Sequence, residues 1–339
     1  MTVWLVAALL HQVPFETRGF TRPLALDAPD ARACASCHAR EANDWRASFH
    51  AQSLTSPVFR DGFAVEPHLR CVVCHGPLEA QTRAAWRQKA LLASGAALPA
   101  DSPVHDGITC AACHVRDGTV LAPSPTARPY GHPLRHEPAL RTSAFCATCH
   151  EFTGHALVDG VTVLNALPTQ TTFTEWTQWG GARTCQACHM PNGSHRVRGG
   201  HDVEFVRGAL TLDWRGDVAT VTAHDVGHRV PTGDVFRHLV LWADDVPLAR
   251  FGVELGPGVD ADGHSGVQVT RDTRLVPEVP VRVVMPRGAR SVRLTYHFTA
   301  PTPRSAALLT RDDELVELFS IRRAESPAAA QRVGYTRAP

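Results

Sequence analysis

"TCQACHMPNGSH", residues 184–195, places a histidine directly after the second cysteine of a C-x-x-C pair. The arrangement occurs four more times upstream. The pairs are Cys34/Cys37 with His38, Cys71/Cys74 with His75, Cys110/Cys113 with His114, Cys146/Cys149 with His150, and here Cys185/Cys188 with His189. Every one of the 10 cysteines is used. The first cysteines fall at 34, 71, 110, 146 and 185, so one unit recurs at intervals of 37, 39, 36 and 39 residues.

Three chemistries compete for such pairs. Zinc takes four ligands, usually from two C-x-x-C pairs, and has no use for a histidine beside each second cysteine. Five pairs would also leave one unmatched. A redox dithiol needs one pair on a thioredoxin-like unit, not five in a row. Covalent haem uses all three residues: the thiols bond the vinyl groups of the macrocycle and the adjacent histidine sits under the iron. Five chance histidines at those positions have a probability on the order of one in a million, set against the haem-attachment pattern. The sequence therefore predicts five covalently bound haem c groups. Cys34, Cys37, Cys71, Cys74, Cys110, Cys113, Cys146, Cys149, Cys185 and Cys188 are the thioether anchors, which leaves none for disulfides. His38, His75, His114, His150 and His189 are the proximal iron ligands.

Composition bounds the rest. A net charge of +1 over 339 residues gives no reason to expect a nucleic acid or an anionic membrane surface as partner. The apolar run Val3–Leu10 is far too short to span a bilayer; it reads as the core of a weak or truncated secretory signal. No other segment is long enough, so no membrane span is expected in the mature chain. Between the motifs, short helical patterns alternate with loop-rich stretches such as "LAPSPTARPYGHP". Little in residues 30–200 promises a large apolar core, so the macrocycles would supply it and the haem-free chain would be largely unfolded. From about residue 203, seven runs including "VATVTAHDV", "HLVLWAD" and "SVRLTYHF" alternate apolar and polar residues between turn formers. The expected fold is α+β. An N-terminal segment (1–22) precedes a haem-packed, mostly helical or irregular domain (23–202), an antiparallel β-sandwich (203–325) and a tail (326–339). "RDDELVELFSIRR" near the end reads equally as helix or strand.

What occupies the sixth position of each iron separates a wire from an enzyme. Methionine is nearly excluded, with only Met285 free of the start and of a motif, and Lys89 is the only lysine. The candidates are the fourteen histidines outside the motifs. His50, twelve residues past His38, is placed to serve a neighbouring haem. His105, His195, His228 and His68 are further candidates. His136 is favoured over His132 in "YGHPLRHEP", and His201 is a rival or hydrogen-bond partner of His195. His155 reads as a structural polar residue; His224, His238, His264 and His297 read as strand residues. Bis-histidine ligation gives lower potentials than Met/His ligation.

"RACASCHAREANDWRASFHA" (residues 32–51) resembles the opening motif of the nitrifier tetrahaem cytochrome c family, in which CxxCH is followed by a Trp and a His-Ala pair. That resemblance implies a distal-ligand role for His50. "FTEWTQWGGARTCQACHMPNGSHRVRGGHD" followed by "VGHRVPTGD" resembles larger multihaem cytochromes with an appended β domain. It implies close haem pairs and a location outside the cytoplasmic membrane, periplasmic or extracellular. The chain departs from these families in haem number. No motif ends in the lysine that marks the catalytic haem of pentahaem nitrite reductases, and Tyr130 is the only tyrosine available for the haem crosslink of octahaem hydroxylamine oxidoreductases.

The leading expectation is an electron carrier between respiratory redox partners, such as other cytochromes. One alternative is a reductase of a small nitrogen or sulfur compound at one five-coordinate haem. Another is a docking subunit of a larger respiratory complex. No catalytic residue is assigned at this stage.

Overall fold

The computed structural model describes residues 31–65, 67, 69–125, 131–158, 161–259, 263, 265–298 and 315–322. The expected N-terminal segment (1–22), His68, Tyr130, His264 and the tail from 326 lie outside these, as does the side chain of His155.

The first half is made of short helices: α1 (Ala31–Ala35), α2 (Ala39–Arg46), α3 (Pro57–Val65), α4 (Leu69–His75), α5 (Glu79–Arg87), α6 (Lys89–Ser94), α7 (Cys110–His114), α8 (Ser143–His150), α9 (Thr172–Gln178), α10 (Cys185–His189) and α11 (Val203–Gly208). Helices this short are not stable in isolation and owe their form to tertiary partners. Among the described residues none is long and apolar enough to cross a membrane. The end of α6 shows what those partners supply. Gly95 takes the left-handed conformation there, and Arg60 donates to the carbonyls of Leu91, Leu92 and Ala96. A small apolar core forms here: Leu54, Phe63, Val72, Ala84, Leu92 and Val104 pack together beside the second motif. Gly107, at positive φ, lets its loop close on this segment, since a Cβ there would collide with the carbonyls of His50 and Ala51.

Short strands β1 (Val115–Arg116), β2 (Thr119–Ala122) and β3 (Leu134–His136) form a minor sheet in which β2 and β3 run parallel. A longer antiparallel hairpin, β4 (Glu151–Val158) with β5 (Val161–Thr171), joins the fourth motif to α9.

The remaining strands are β6 (Leu210–Arg215), β7 (Val218–Ala223), β8 (His238–Ala243), β9 (Val246–Val259), β10 (Ser265–Asp272), β11 (Val281–Val284), β12 (Ser291–His297) and β13 (Leu315–Arg322). They form a five-stranded sheet in the order β10-β9-β8-β12-β13 and a three-stranded sheet β11-β7-β6, with every pairing antiparallel. In β7 alternate residues Ala219, Val221 and Ala223 are buried, the period-2 pattern of a strand with one wet face. Both sheets feed one core: Leu210 and Val221 from the smaller meet Leu239, Leu241, Val292, Leu294 and Leu318 from the larger. Met285 is sealed in this core, away from any role as a ligand. Of the ambiguous stretch near the end, residues 315–322 are strand, pairing along β12 as β13.

Candidate haem-binding cavity

Cys-x-x-Cys on one helical turn puts both thiols on the same face, because residues three apart are neighbours on a helix. Four motifs lie within α4, α7, α8 and α10. In the first, α1 ends at Ala35 and a further turn, closed by the His38 amide donating to the Cys34 carbonyl at 2.9 Å, completes the arrangement. All ten cysteines and all five motif histidines line one continuous cavity of 2830 Å³. Shared among five motifs, that is roughly 570 Å³ each, within the roughly 300–1,000 Å³ of a small-ligand site. Among the described residues, no His, Cys, Asp or Glu side chains converge into a metal-ion nest of three or more, and no cysteine is in a disulfide. The donors are dispersed around a large space, as a macrocycle requires and a bare ion does not.

The imidazoles give the sharper test. Across the cavity His38 faces His132 with ring centres 6.3 Å apart, His50 faces His150 at 6.4 Å, His114 faces His195 at 6.0 Å, and His189 faces His228 at 6.3 Å. A metal–imidazole bond of about 2.0–2.1 Å, plus about 1.1 Å from nitrogen to ring centre, puts two rings on opposite sides of one ion roughly 6.3 Å apart. Each pair contains one motif histidine. Most of these rings are also held by the other nitrogen. Nδ1 lies 3.0 Å from the Leu121 carbonyl in His114, 3.1 Å from that of Gly193 in His195, and 2.9 Å from that of Arg229 in His228. His189 meets the Arg198 carbonyl in the same way, and His150 meets the Gln170 side-chain oxygen at 3.2 Å. An Nδ1–H committed to a carbonyl leaves the Nε2 lone pair for a metal and fixes the ring plane. Desolvation pushes His50 down to about 3 and His150 to about 4, and lowers His114 and His228. Burial thus favours the neutral form of these four rings, the form that ligates. The residues fit covalently held haem.

His75 is the exception. Its Nδ1 is anchored to the Ser53 carbonyl at 2.9 Å and Phe59 flanks its ring at 4.6 Å. Among the described residues, no histidine ring stands opposite it at the separation of the other four.

The expected distal histidines divide accordingly. His50, His195 and His228 are brought opposite motif histidines. His105 and His136 are not: both are exposed and neither lines the cavity. His105 spends its Nε2 on the Pro99 carbonyl at 3.0 Å, and His136 sits on β3. His132, in the Gly131–Pro133 turn, takes the place expected of His136. His68 lies outside the described residues. His201 faces no motif histidine and is stacked between Phe49 and Phe298, at 3.7 and 4.3 Å.

Two acidic residues position distal loops. Asp44 on α2 accepts from the Ser194 hydroxyl and the His195 amide. Glu175 on α9 is almost fully buried; it accepts from the Thr171 and Thr232 hydroxyls and the Arg229 amide and pairs with Arg274 at 2.7 Å. It ties the loop carrying His228 to α9. No motif marks either acid in the sequence.

A solved structure matches this arrangement of helices and sheets. The chain shares its fold with a penta-heme cytochrome c552 from Thermochromatium tepidum. The TM-score is 0.61 at 19% identity, covering 88% of this chain and 99% of that one. At this identity the likeness speaks for the fold. No protein-family model matches the sequence. No curated protein matches it either.

Proposed function

We propose that the chain is a pentahaem c-type cytochrome that carries electrons between redox partners, such as other cytochromes, outside the cytoplasmic membrane. The haem-bearing part would be residues 23–202 and the β-sandwich 203–325. The observation that carries this reading is the four opposed imidazole pairs, each joining a motif histidine to a second histidine across one cavity. Haem supplies reversible one-electron chemistry at iron. The chain's part is to hold the irons, exclude water and set potentials, and two neutral imidazoles per iron favour low ones.

The motifs also stand in an order. Cys34 and Cys110 interact directly, as do Cys74 with Cys149 and Cys146 with Cys185, while Cys113 lies within electrostatic reach of Cys149. His50 senses His150, His75 and His189 together. The fourth motif is therefore a hub: the third, itself joined to the first, the second and the fifth all adjoin it. Such contiguity suits a wire.

A reductase reading is favoured by one observation: among the described residues no histidine ring faces His75. The test is a count followed by a spectrum. Expressed with haem-attachment machinery, the protein should carry five haem additions by intact mass. Four low-spin ferric centres should appear by electron paramagnetic resonance. A chain that folds without covalent haem would sink the proposal.

A further inference from the structure

The fourth proximal histidine is held by a different kind of partner. His75, His114 and His189 turn Nδ1 to the carbonyls of Ser53, Leu121 and Arg198, and the distal His195 and His228 turn theirs to Gly193 and Arg229. All five acceptors are main-chain oxygens, set by the course of the backbone whatever side chain stands there. His150 instead meets the side-chain oxygen of Gln170 at 3.2 Å. Its acceptor is a matter of sequence, and one substitution can exchange it.

The surroundings hold that side chain in place. β4 starts directly after His150, and its first residues pair with the last of β5, Glu151 with Thr171 and Phe152 with Gln170. The register thus brings Gln170 beside the end of α8. The Glu151 carboxylate locks the base of this hairpin to the start of α9. It accepts from the amides of Phe173 and Thr174 at 3.0 Å and from the Thr174 hydroxyl at 2.7 Å. Gln170 itself is half-buried and lines the cavity together with His150.

We propose that Gln170 is a positioning residue that sets the potential of the fourth centre, the hub of the array. This rests on the haem reading above. An acceptor on Nδ1–H makes the imidazole a stronger donor through Nε2. Ferric iron draws more charge from the ring than ferrous iron does, so the acceptor favours the oxidised state and lowers the potential. A neutral amide oxygen does this moderately, a carboxylate does it more, and an alkyl group not at all. The other centres keep their own carbonyls, so the effect stays with His150. Three motifs adjoin the fourth, and this one side chain therefore alters the driving force of every transfer through the hub.

The test uses the full haem-loaded chain in a redox titration followed by paramagnetic resonance. The signal of the fourth centre is the low-spin one that His50→Ala converts to high-spin. A haem count below five by mass, or no conversion in His50→Ala, would overturn the haem reading itself and this proposal with it. Gln170→Leu should move the midpoint of that signal upwards. Gln170→Glu should move it downwards at about pH 8, above the ordinary carboxylate range. Each shift should be about tenfold in the one-electron equilibrium, about 59 mV. The signals of the third and fifth centres should move much less. A merely structural glutamine would give shifts of one sign in both variants, or shifts of equal size in all centres. Either result would overturn the proposal, as would an unmoved midpoint. If Gln170→Leu loses haem, Gln170→Met provides the same comparison.

Discussion

At the scale of single residues, ligation turns on which nitrogen of an imidazole is free. His195 and His228 spend Nδ1 on carbonyls and present Nε2 to the cavity, whereas His105 spends Nε2 on Pro99. Replacing His50, His132, His195 or His228 by Ala should each convert one low-spin haem to high-spin. His105→Ala and His136→Ala should leave the paramagnetic spectrum unchanged. A shifted spectrum in either of the latter would refute the assignment. The motif histidines are legible in the sequence because covalent attachment needs contiguous residues. The distal ones are not, because they are selected by distance in space. His132 and His136 lie four residues apart in one stretch, and the fold turns the first inward.

At the scale of elements, two polar anchors hold short segments that propensity would not hold. Glu175 is buried among three hydrogen-bond donors and Arg274; Arg274 keeps Asp272 as its other carboxylate partner, so Glu175→Ala leaves the donors short of an acceptor and should cost about 1–3 kcal/mol. Chemical denaturation of the holoprotein would read it, together with a broadened signal from the His189–His228 centre. Asp202 caps α11 through the Phe205 amide and pairs with Arg198. The Arg198 hydrogen bond, with the cap and nearby cations, holds the Asp202 carboxyl below its ordinary value despite partial burial. A depressed carboxylate stabilises the fold above the unfolded-state pKa of about 3.9, and that contribution is lost as pH falls through the folded value. Asp202→Asn should therefore flatten the acid limb of a stability–pH curve below about pH 4, while wild type declines. An equally steep limb in the variant would count against it. The strands after residue 203 were legible because their alternation is clean. The β4–β5 hairpin was not anticipated, although "LVDGVTV" (157–163) carries an Asp-Gly between apolar runs, a hairpin signal. β13 was undecidable locally, because strand or helix is settled there by the free edge of β12.

At the scale of the molecule, the first half encloses a large space beside a small apolar core. A cavity of 2830 Å³ walled by helices of at most nine residues has too few internal contacts to persist unfilled. Expressed without haem attachment, the chain should show little protection of residues 31–200 in hydrogen exchange, while β6–β13 retain theirs. Uniform protection throughout would show that the helices do not need the cofactor. On the proposed ligation, each opposed pair also crosses the chain at a different reach. His150 meets a partner, His50, that has already been synthesised; His38, His114 and His189 must wait for His132, His195 and His228 downstream. A growing polypeptide would therefore finish its fourth centre as soon as that haem is attached, and its fifth only when the loop before β8 has emerged. Spin state then becomes a clock of assembly, and a chain cut short before residue 228 would carry its defect at the far end of the wire.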